Sequence, residues 1–464
     1  MTSHCHTRDI EIIKMRSLYF LLIFIYGFSC LSTSIKTADN VIEPDFEKYS
    51  LVNNADLQKA LNKTELNLDD IYVLAVERTE KLAIEYANLK ESEAEKLRVY
   101  ALFLPKISLR YQQNLLGTEN TSPWIYFYGK QPIFSGLKEI YWFDKINSSI
   151  KIKEALLKYR AERLYLETGK AYYETLVTEE NLKSKQISLK LLESRLKELK
   201  RRKKLGRSKE SEVLSAQAQI AMLKADLQEE SLKNQINREN LIFLANLPED
   251  FKLELNIPSL AEKDAREILR QTEKADIKQR FDLIASEEML NYAEADLSSA
   301  YSSYLPEISL QGSYYLKKGQ GRVVVNQQSS AEENWNIQLS AEAPLFQGGE
   351  ILSMINTAKI RLEKAKLSHL EAARLAQSEL EKARLSLKSA LLKVKAYEEA
   401  YNAAQKNYEV QNKEYSLGLV TNLDVLSALN ELEAAKIKFH KSKTEILINT
   451  IWLKIAGGFH KEFK

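Results

Sequence analysis

The chain has 464 residues with 28% charged side chains, 14 glycines, 8 prolines and a formal net charge of +3. Ala, Glu, Lys and Leu abound, which is typical of long helices or coiled coil, and the small net charge gives no reason to expect nucleic acid as a partner. Both cysteines, Cys5 and Cys30, lie near the N-terminus and can build neither a disulfide framework nor a zinc site.

The N-terminal residues predict an export signal. Lys14 and Arg16 are followed by an apolar run at residues 18–28. This run has the length of a signal-peptide hydrophobic region and is too short for a membrane helix of about 20 residues. We assign residues 1–29 to a signal peptide, with Met15 as an alternative start, and residues 30–67 to an N-terminal polar segment.

The end of this hydrophobic region resembles a lipoprotein cleavage box, because the small residue Ser29 stands before Cys30. Bulky Phe28 departs from that pattern, so two interpretations stay open: acylation of Cys30, or ordinary cleavage a few residues later. His4 and His6 flank Cys5 in a spacing that suits a metal, but they precede the apolar run and would be removed with the signal peptide. We therefore expect no metal site and no cofactor.

Residues 68–103 are predicted to form a helix, since their apolar side chains are spaced for one helical face. Pro105 ends this helix, because proline cannot continue a helix and restricts the residue before it.

Four strands are predicted where apolar and polar side chains alternate, in two pairs. They lie within residues 106–116, 124–134, 308–314 and 337–343. Strands of about ten residues cross a bilayer when tilted, and one apolar and one polar face fit a membrane barrel with a wet lumen. Trp124 and Trp335 open the second strand of each pair, where the aromatic girdle of such a barrel sits. A soluble two-stranded hairpin is the alternative.

Each strand pair is followed by a long helix and a shorter returning helix. They are predicted at residues 137–204, 209–246, 350–416 and 421–456. At about 1.5 Å per residue the long helices reach about 100 Å and the returning ones about 55 Å. Each returning helix therefore covers only about half of its long partner. The helices before the strands, at 68–103 and 265–304, are expected to cover the other half. Helices of this kind pack side by side in a coiled-coil wall.

The second half of the chain repeats the first. Pro132-Ile133-Phe134-Ser135-Gly136 precedes Pro344-Leu345-Phe346-Gln347-Gly348 by 212 residues (344 − 132), and Leu205-Gly206 precedes Leu417-Gly418 by the same interval (417 − 205). Leu104-Pro105 precedes Leu305-Pro306 by 201 residues (305 − 104), so the second strand pair holds an insertion. We predict repeats at 68–246 and 263–458, a linker at 247–262 and a C-terminal tail at 459–464.

Four membrane strands cannot close a barrel, and open edges would leave backbone N–H and C=O groups unsatisfied in lipid. Closure therefore requires several chains. Two chains give eight strands, whose interior is filled by side chains, and three give twelve, an even number within the known range. A conduit favours the trimer.

The doubled Leu-Pro-x-Ile-Ser, Pro-Ile/Leu-Phe-x-Gly and Leu-Gly motifs, in order, resemble the TolC-like outer-membrane efflux proteins over residues 68–458. The resemblance implies a mainly α fold with membrane β: coiled-coil helical hairpins, four transmembrane strands per chain, and a trimeric 12-stranded β-barrel continuous with a periplasmic α-helical barrel. The family often has a proline early in each repeat, where this chain has Arg78-Thr79-Glu80 and Arg280-Phe281-Asp282.

Glycines mark the places where the chain reverses. Gly206 and Gly418 suit hairpin tips, because glycine adopts a left-handed conformation at no steric cost. The resemblance implies that the tips contact a periplasmic adaptor. The tip residues are Leu205, Gly206, Arg207, Leu417, Gly418 and Leu419. The barrel–helix junctions are marked by Pro132, Gly136, Pro344 and Gly348.

A basic cluster lies at the first tip, and it has two interpretations that stay open. It comprises Lys200, Arg201, Arg202, Lys203, Lys204 and Arg207. The cations complement the dipole of a solvated helix end, or they dock to an acidic adaptor surface.

Asp424 follows Thr421 by three residues, which is the spacing of a helix-capping pair. The resemblance implies a second role, since an acid at this position contributes to the closed aperture in the family. Three copies would form a carboxylate ring, and such rings select for cations. Glu212 is the matching acid of the first repeat. The family often has a second acid three residues after the first, but this chain has Ser427 at that position. We therefore expect a weaker carboxylate ring.

No phosphate loop, nucleophile elbow or metal-ligand motif is found in the sequence, so we do not expect an enzyme. The resemblance implies an exit duct in the outer membrane, with its helical tunnel in the periplasm, for a tripartite efflux pump or type I secretion system. Its partners would be a periplasmic adaptor, an inner-membrane transporter of RND, ABC or MFS type, and outer-membrane lipid. The alternative is an exported periplasmic coiled-coil scaffold or adhesin without a pore.

Overall fold

The computed structural model describes residues 54–113, 123–206, 208–254, 261–272, 277–317 and 334–459. The predicted signal peptide, the acylation at Cys30, the tip residue Arg207 and most of the tail at 459–464 lie outside these ranges. So do the turn of the first strand pair and six residues of the linker, 255–260.

Nine α-helices and four strands are found in these ranges. They are α1 (Asn54–Leu61), α2 (Leu68–Arg78), α3 (Glu80–Tyr100), β1 (Lys106–Gln112), β2 (Trp124–Ser135), α4 (Lys138–Lys204), α5 (Glu210–Ala245), α6 (Ala261–Thr272), α7 (Phe281–Tyr301), β3 (Glu307–Lys317), β4 (Trp335–Glu342), α8 (Glu350–Ser416) and α9 (Asn422–Ala456). The two halves follow one order. Helices α3 and α7 each have 21 residues, and α4 and α8 each have 67. None of the helices in these ranges is long and apolar enough to cross a membrane.

The predicted helices at 68–103 and 265–304 are each interrupted, so the expectation of continuous helices was wrong. Thr79 lies in an extended conformation (φ −83°, ψ 118°), and so does Arg280 (φ −62°, ψ 136°). Thr79 Oγ1 donates to the Leu244 carbonyl at 2.8 Å, and Arg280 Nη1 donates to the Ala456 carbonyl at 3.1 Å. Bonds to the ends of the returning helices thus stabilise a break that no proline imposes.

The predicted polar segment at 30–67 ends in ordered structure. Helix α1 buries Ala60, which is 1% exposed. Beyond α1, the Leu66 N–H donates to the Lys252 carbonyl at 2.9 Å, and the Glu254 N–H donates to the Leu66 carbonyl at 3.0 Å. This short parallel bridge attaches the segment to the chain that follows α5, within the range predicted as the linker.

The long helices form a wall in which different neighbours cover each half, as the helix lengths predicted. Near the sheet, α4 packs against α3 and α7, and α7 also packs against α8. Near the other end, α4 packs against α5 and α9, and α9 packs against α8. Buried side chains such as Leu387, Val394 and Ile446 fill the seam between α8 and α9. Each is worth about 1.5–3 kcal/mol on burial.

The four strands form one antiparallel sheet in the order β1-β2-β3-β4. Directly paired residues share a face, and the register separates side chains by polarity. One face carries apolar pairs such as Leu109↔Phe127 and Leu310↔Leu339. The other carries polar pairs such as Gln311↔Gln338 and Ser309↔Ser340. The sheet therefore has one predominantly apolar surface and one surface on which polar and tyrosine side chains prevail.

The two tryptophans predicted for a common girdle lie on opposite faces of this sheet. Trp335 pairs with Tyr314 on the apolar face. Trp124 pairs with Gln112 on the polar face, and its ring meets Tyr315 edge-on at 5.5 Å. Trp335 thus lies on the apolar face and Trp124 on the opposite one. The girdle role expected for the two tryptophans stays a prediction. The aromatic residues on both sides of β2 obscured its alternation.

The two junctions between strand and helix have different surroundings. Pro132 pairs with Ser309 at a register shift within β2, whereas Pro344 follows the end of β4. Gly136 (φ +69°) lies against the backbone that follows α7, and a Cβ on this glycine would lie 2.5 Å from the Ser302 carbonyl oxygen. A Cβ placed on Gly348 (φ +59°) would meet nothing within 4 Å. The second junction is open where the first is covered.

We expect Gly136→Ala to lower the yield of folded protein, because a non-glycine residue in the left-handed region costs about 1–2 kcal/mol and this methyl group would also collide with backbone. Gly129→Ala is the matched control, since a Cβ there meets nothing within 4 Å. The measurement is the folded fraction by heat-modifiable gel migration. Equal yields for both variants would contradict the tight junction.

Candidate functional site: the paired hairpin tips

The first tip joins α4 to α5 through a left-handed glycine. Gly206 has φ +69°, and its N–H donates to the Lys203 carbonyl at 2.9 Å. Leu205 is 66% exposed. The Lys209 N–H donates to Glu212 Oε2 at 3.3 Å, and Ser208 Oγ donates to the same oxygen. Glu212 therefore caps the first turn of α5.

The second tip repeats this geometry between α8 and α9. Gly418 has φ +78°, and Leu417 and Leu419 are 67% and 71% exposed. The Thr421 N–H and Oγ1 donate to Asp424 Oδ2 at 2.8 and 2.6 Å. These bonds hold the pKa of Asp424 below its usual value, the hydroxyl first and the backbone amide second. The capping role predicted for Asp424 is confirmed, and its exposed position leaves the aperture role a proposal.

A residue that the sequence analysis missed, Arg195, connects the two hairpins just below the tips. From α4 it donates to Asn422 Oδ1 of α9 at 3.0 Å and to Asn412 Oδ1 of α8 at 3.2 Å. Its guanidinium also lies 3.8 Å from the centre of the Tyr415 ring. Cation–π contacts of this kind add about 0.5–2 kcal/mol. Nothing in the sequence separates Arg195 from the other basic residues of α4.

Beneath Arg195 the hairpins share a small apolar cluster. Leu192 of α4, Ile220 of α5, and Leu426 and Leu429 of α9 are all buried there. At the first tip itself, Leu199 and Ala216 are fully buried between α4 and α5. Arg195 and the shared apolar cluster therefore join the two hairpins below the exposed leucines, whereas Leu199 and Ala216 close the first hairpin itself.

The basic cluster is partly neutralised within the chain. Arg202 pairs with Glu198 at 2.6 Å, and Lys203 pairs with Glu210. Arg202 also lies 5.0 Å from the centre of the Tyr415 ring. Lys200, Arg201 and Lys204 stay exposed. A positive surface thus remains at the first tip.

A second polar cluster lies about midway along the wall, where Arg280 is 4% exposed. Its Nη2 binds Asp282 and Glu379, both at 2.7 Å. Glu379 also accepts from Arg163 at 3.0 Å and from Trp452 Nε1 at 3.2 Å. Burial acts to raise the pKa of Glu379, but the Arg280 and Arg163 cations outweigh it and hold the pKa below its usual value.

The predicted site residues fall into two groups at opposite ends of the molecule. The tip residues and the two capping acids lie at the far ends of α4 and α8, and the junction prolines and glycines lie at their near ends. Helices of this length separate the groups by about 100 Å. Within the described ranges, no cluster of three His, Cys, Asp or Glu side chains is arranged to hold a metal ion.

Comparison with known proteins shows similarity to one family. Residues 274–458 match the family model described as outer membrane efflux protein. Over 321 residues the chain is 24% identical to the outer membrane protein TolC of Vibrio cholerae serotype O1, covering 68% of this chain and 73% of that protein. This chain is similar to the TolC-like outer-membrane efflux proteins.

Solved structures share the fold of this chain. The outer membrane protein VceC of Vibrio cholerae superposes with a TM-score of 0.71 at 17% identity, over 86% of this chain and 97% of that one. The CmeC outer membrane channel of Campylobacter jejuni gives a TM-score of 0.70 at 18% identity, over 85% and 86%. The efflux-protein fold therefore extends well beyond the stretch that the family model matches.

Proposed function

We propose that this chain is the outer-membrane exit duct of a tripartite efflux pump or a type I secretion system. The observation that carries the proposal is the sheet. It has one apolar and one polar face, and its strands β2 and β4 lead into helices of 67 residues. The apolar face suits lipid and the polar face suits a water-filled lumen. Substrate would move passively along that lumen.

The edges of this sheet support a trimer with a twelve-stranded barrel. In the described part of one chain, β1 pairs only with β2 and β4 only with β3. Exposed edges in lipid would leave backbone groups unsatisfied. Closure against neighbouring copies satisfies them, and three copies leave room for a conduit. The helices would then continue the barrel as a periplasmic tunnel.

The tips are the proposed contact surface for the periplasmic adaptor, through which an inner-membrane transporter of RND, ABC or MFS type delivers substrate. Leu205, Leu417 and Leu419 are exposed at the far ends of the helices. Exposed leucines beside a positive surface suit an amphipathic, partly acidic partner. The cargo itself leaves no signature in these residues.

The tip also holds the proposed gate. Arg195 joins α4 to α8 and α9, so opening the tip would require these bonds to break. Asp424 lies exposed beside this connection, and three copies would place a ring of carboxylates at the aperture. Glu212 holds the matching position on the first hairpin and is more covered.

Single-channel recording of the purified protein in a planar bilayer tests the function. A duct with a closed tip should give discrete steps of low conductance that favour cations. Protein shown to be folded and membrane-inserted, yet giving no steps, would favour the pore-free scaffold instead.

The gate makes a separate prediction for Asp424→Ala. Removing the carboxylate ring should raise conductance and lower the preference for cations, because the fixed negative charge at the aperture is lost. Thr421→Ala is the matched control: it removes the hydroxyl that binds Asp424 and keeps the acid. If both variants change conductance equally and selectivity stays constant, Asp424 is a helix cap only.

A further inference from the structure

Two buried hydrogen-bond donors at the tip lie on either side of one hydrogen bond. Arg195 Nε donates to Asn422 Oδ1 at 3.0 Å. Arg195 Nη2 and Asn422 Nδ2 are each two covalent bonds from that contact, and both are buried without a hydrogen-bond partner in the described part of the chain. They cannot pair with each other, because both are donors. A buried donor without an acceptor is destabilising, so two of them this close together point to a ligand that accepts from both.

The burial of Asn422 distinguishes this place from the rest of the tip surface. Asn422 is 0% exposed although it is the first residue of α9, whereas the preceding Thr421 is exposed. A polar atom shielded from water bears the full cost of a missing hydrogen bond. Rotating the Asn422 amide by half a turn gives no relief, because the nitrogen would then face the Arg195 Nε donor. The free donor at Asn422 is therefore a consequence of its contact with Arg195.

The same place carries positive charge that its hydrogen bonds do not offset. Both described acceptors of Arg195 are neutral asparagine amides. The Arg195 and Arg202 guanidinium groups lie 3.8 and 5.0 Å from the centre of one ring, that of Tyr415, which brings two cations together. Arg202 has a carboxylate partner in Glu198 at 2.6 Å, but Arg195 has none among its described hydrogen-bond partners. A bound anion would reduce the repulsion between the two cations.

The start of α9 adds to this positive potential. The first N–H groups of a helix have no acceptor within the helix and form the positive end of its dipole. Asn422 begins α9 and therefore lies at that end. The acid of the same turn, Asp424, accepts from the Thr421 N–H and Oγ1, so its carboxylate is bound there rather than to Arg195. A helix start with additional side-chain donors suits an anion.

We propose that the closed tip binds one small inorganic anion, of the size of chloride, between Arg195 Nη2 and Asn422 Nδ2. Both atoms donate to it, and hydrogen bonds between charged groups are stronger than those between neutral ones. The inference rests on the proposed duct and gives its closed tip a ligand. Since the two donors belong to α4 and α9, the anion joins the two hairpins and loses one of its donors when they separate.

The bound anion then controls the equilibrium between the closed and the open tip. A ligand that binds only one of two states favours that state by the factor 1 + [L]/Kd. At a chloride concentration of about ten times Kd, the closed form gains about tenfold. The tip should therefore open less readily in chloride than in a salt whose anion is too large to lie between two buried atoms.

Single-channel recording of the full-length protein in potassium chloride and in potassium gluconate, at equal ionic strength, tests the anion. We expect the open fraction of the wild type to be at least about three times higher in gluconate. Asn422→Asp replaces the free donor by a carboxylate oxygen that Arg195 Nη2 can bind, so this variant should stay closed in both salts. Asn412→Asp is the matched control. Asn412 accepts from Arg195 Nη1, so the same charge is added beside the same guanidinium while both free donors remain, and the response to chloride should persist.

Crystals of the full-length protein grown in bromide locate the ion independently of any channel activity. Anomalous scattering should place bromide within hydrogen-bonding distance of Arg195 Nη2 and Asn422 Nδ2. No bromide between these donors, or equal open fractions in both salts, would overturn the anion site and leave the duct standing. A bridging water, which the buried free acceptors Gln219 Oε1 and Gln411 Oε1 on α5 and α8 would suit, predicts that outcome. Folded, membrane-inserted protein without channel steps in either salt would overturn the duct itself.

Discussion

Arg195→Ala is expected to open the tip of the proposed duct. The change removes two hydrogen bonds from a charged donor and a cation–π contact. These contacts together are worth on the order of 3 kcal/mol. Since about 1.4 kcal/mol is a tenfold change in an equilibrium, the open fraction should rise by roughly a hundredfold. Single-channel recording should show larger or longer openings.

Lys197→Ala is the matched control for this prediction. Lys197 lies on the same helix, two residues from Arg195, and is exposed. The Lys197→Ala substitution removes one positive charge from the tip, as Arg195→Ala does, but leaves the contacts of Arg195 between the hairpins in place. Equal effects of the two variants would mean that net charge, rather than the connection made by Arg195, controls the opening.

The largest loss of stability is expected for Arg280→Met. Methionine keeps much of the side-chain volume but leaves Asp282 and Glu379 without the cation that both bind. Breaking a buried ion pair by removing one partner costs about 3–5 kcal/mol. The Ala456 carbonyl at the end of α9 also loses its donor. Denaturant unfolding followed by circular dichroism measures the change.

Arg361→Met provides the comparison on the surface of the same wall. Arg361 pairs with Asp296 at 3.3 Å, but its side chain is 65% exposed. Exposed ion pairs contribute about 0–1 kcal/mol. A loss for Arg280→Met no larger than that for Arg361→Met would show that the central cluster does not stabilise the wall.

The same cluster predicts a dependence on acid. The folded pKa of Glu379 is below its usual value, so its contribution to stability is present above the unfolded pKa of about 4.3 and is lost as pH falls through the folded pKa. Wild type should therefore lose stability as the pH falls below about 4.3. Glu379→Gln should lose less over the same range. Identical acid profiles would rule out this contribution.

The bounds of the long helices could be predicted from the sequence because the signals that set them are local. Helix α8 occupies the predicted residues, and α4 begins one residue after its predicted start. Glycines that reverse the chain and long runs with helical spacing carry this information locally. The strands were predicted from their alternation in the same way.

The breaks and the connection between hairpins could not be predicted in this manner. Thr79 and Arg280 break their helices through bonds to residues 165 and 176 positions away. Arg195 reaches Asn422 across 227 positions. Such contacts depend on how the helices pack, and the residue types alone did not distinguish them. The face of Trp124 was missed because Tyr126 and Phe127 make both faces of β2 aromatic.

The two tips share their backbone geometry but differ in electrical character. Residues 200–204 read Lys-Arg-Arg-Lys-Lys, whereas the corresponding residues 412–416 read Asn-Lys-Glu-Tyr-Ser. In a ring built from three copies, strongly positive and nearly neutral tips would alternate. The backbone of the ring would then have approximate sixfold symmetry, whereas its charge distribution would have threefold symmetry. A partner that contacts every tip would need two kinds of binding surface, and that difference would fix its rotational setting on the duct.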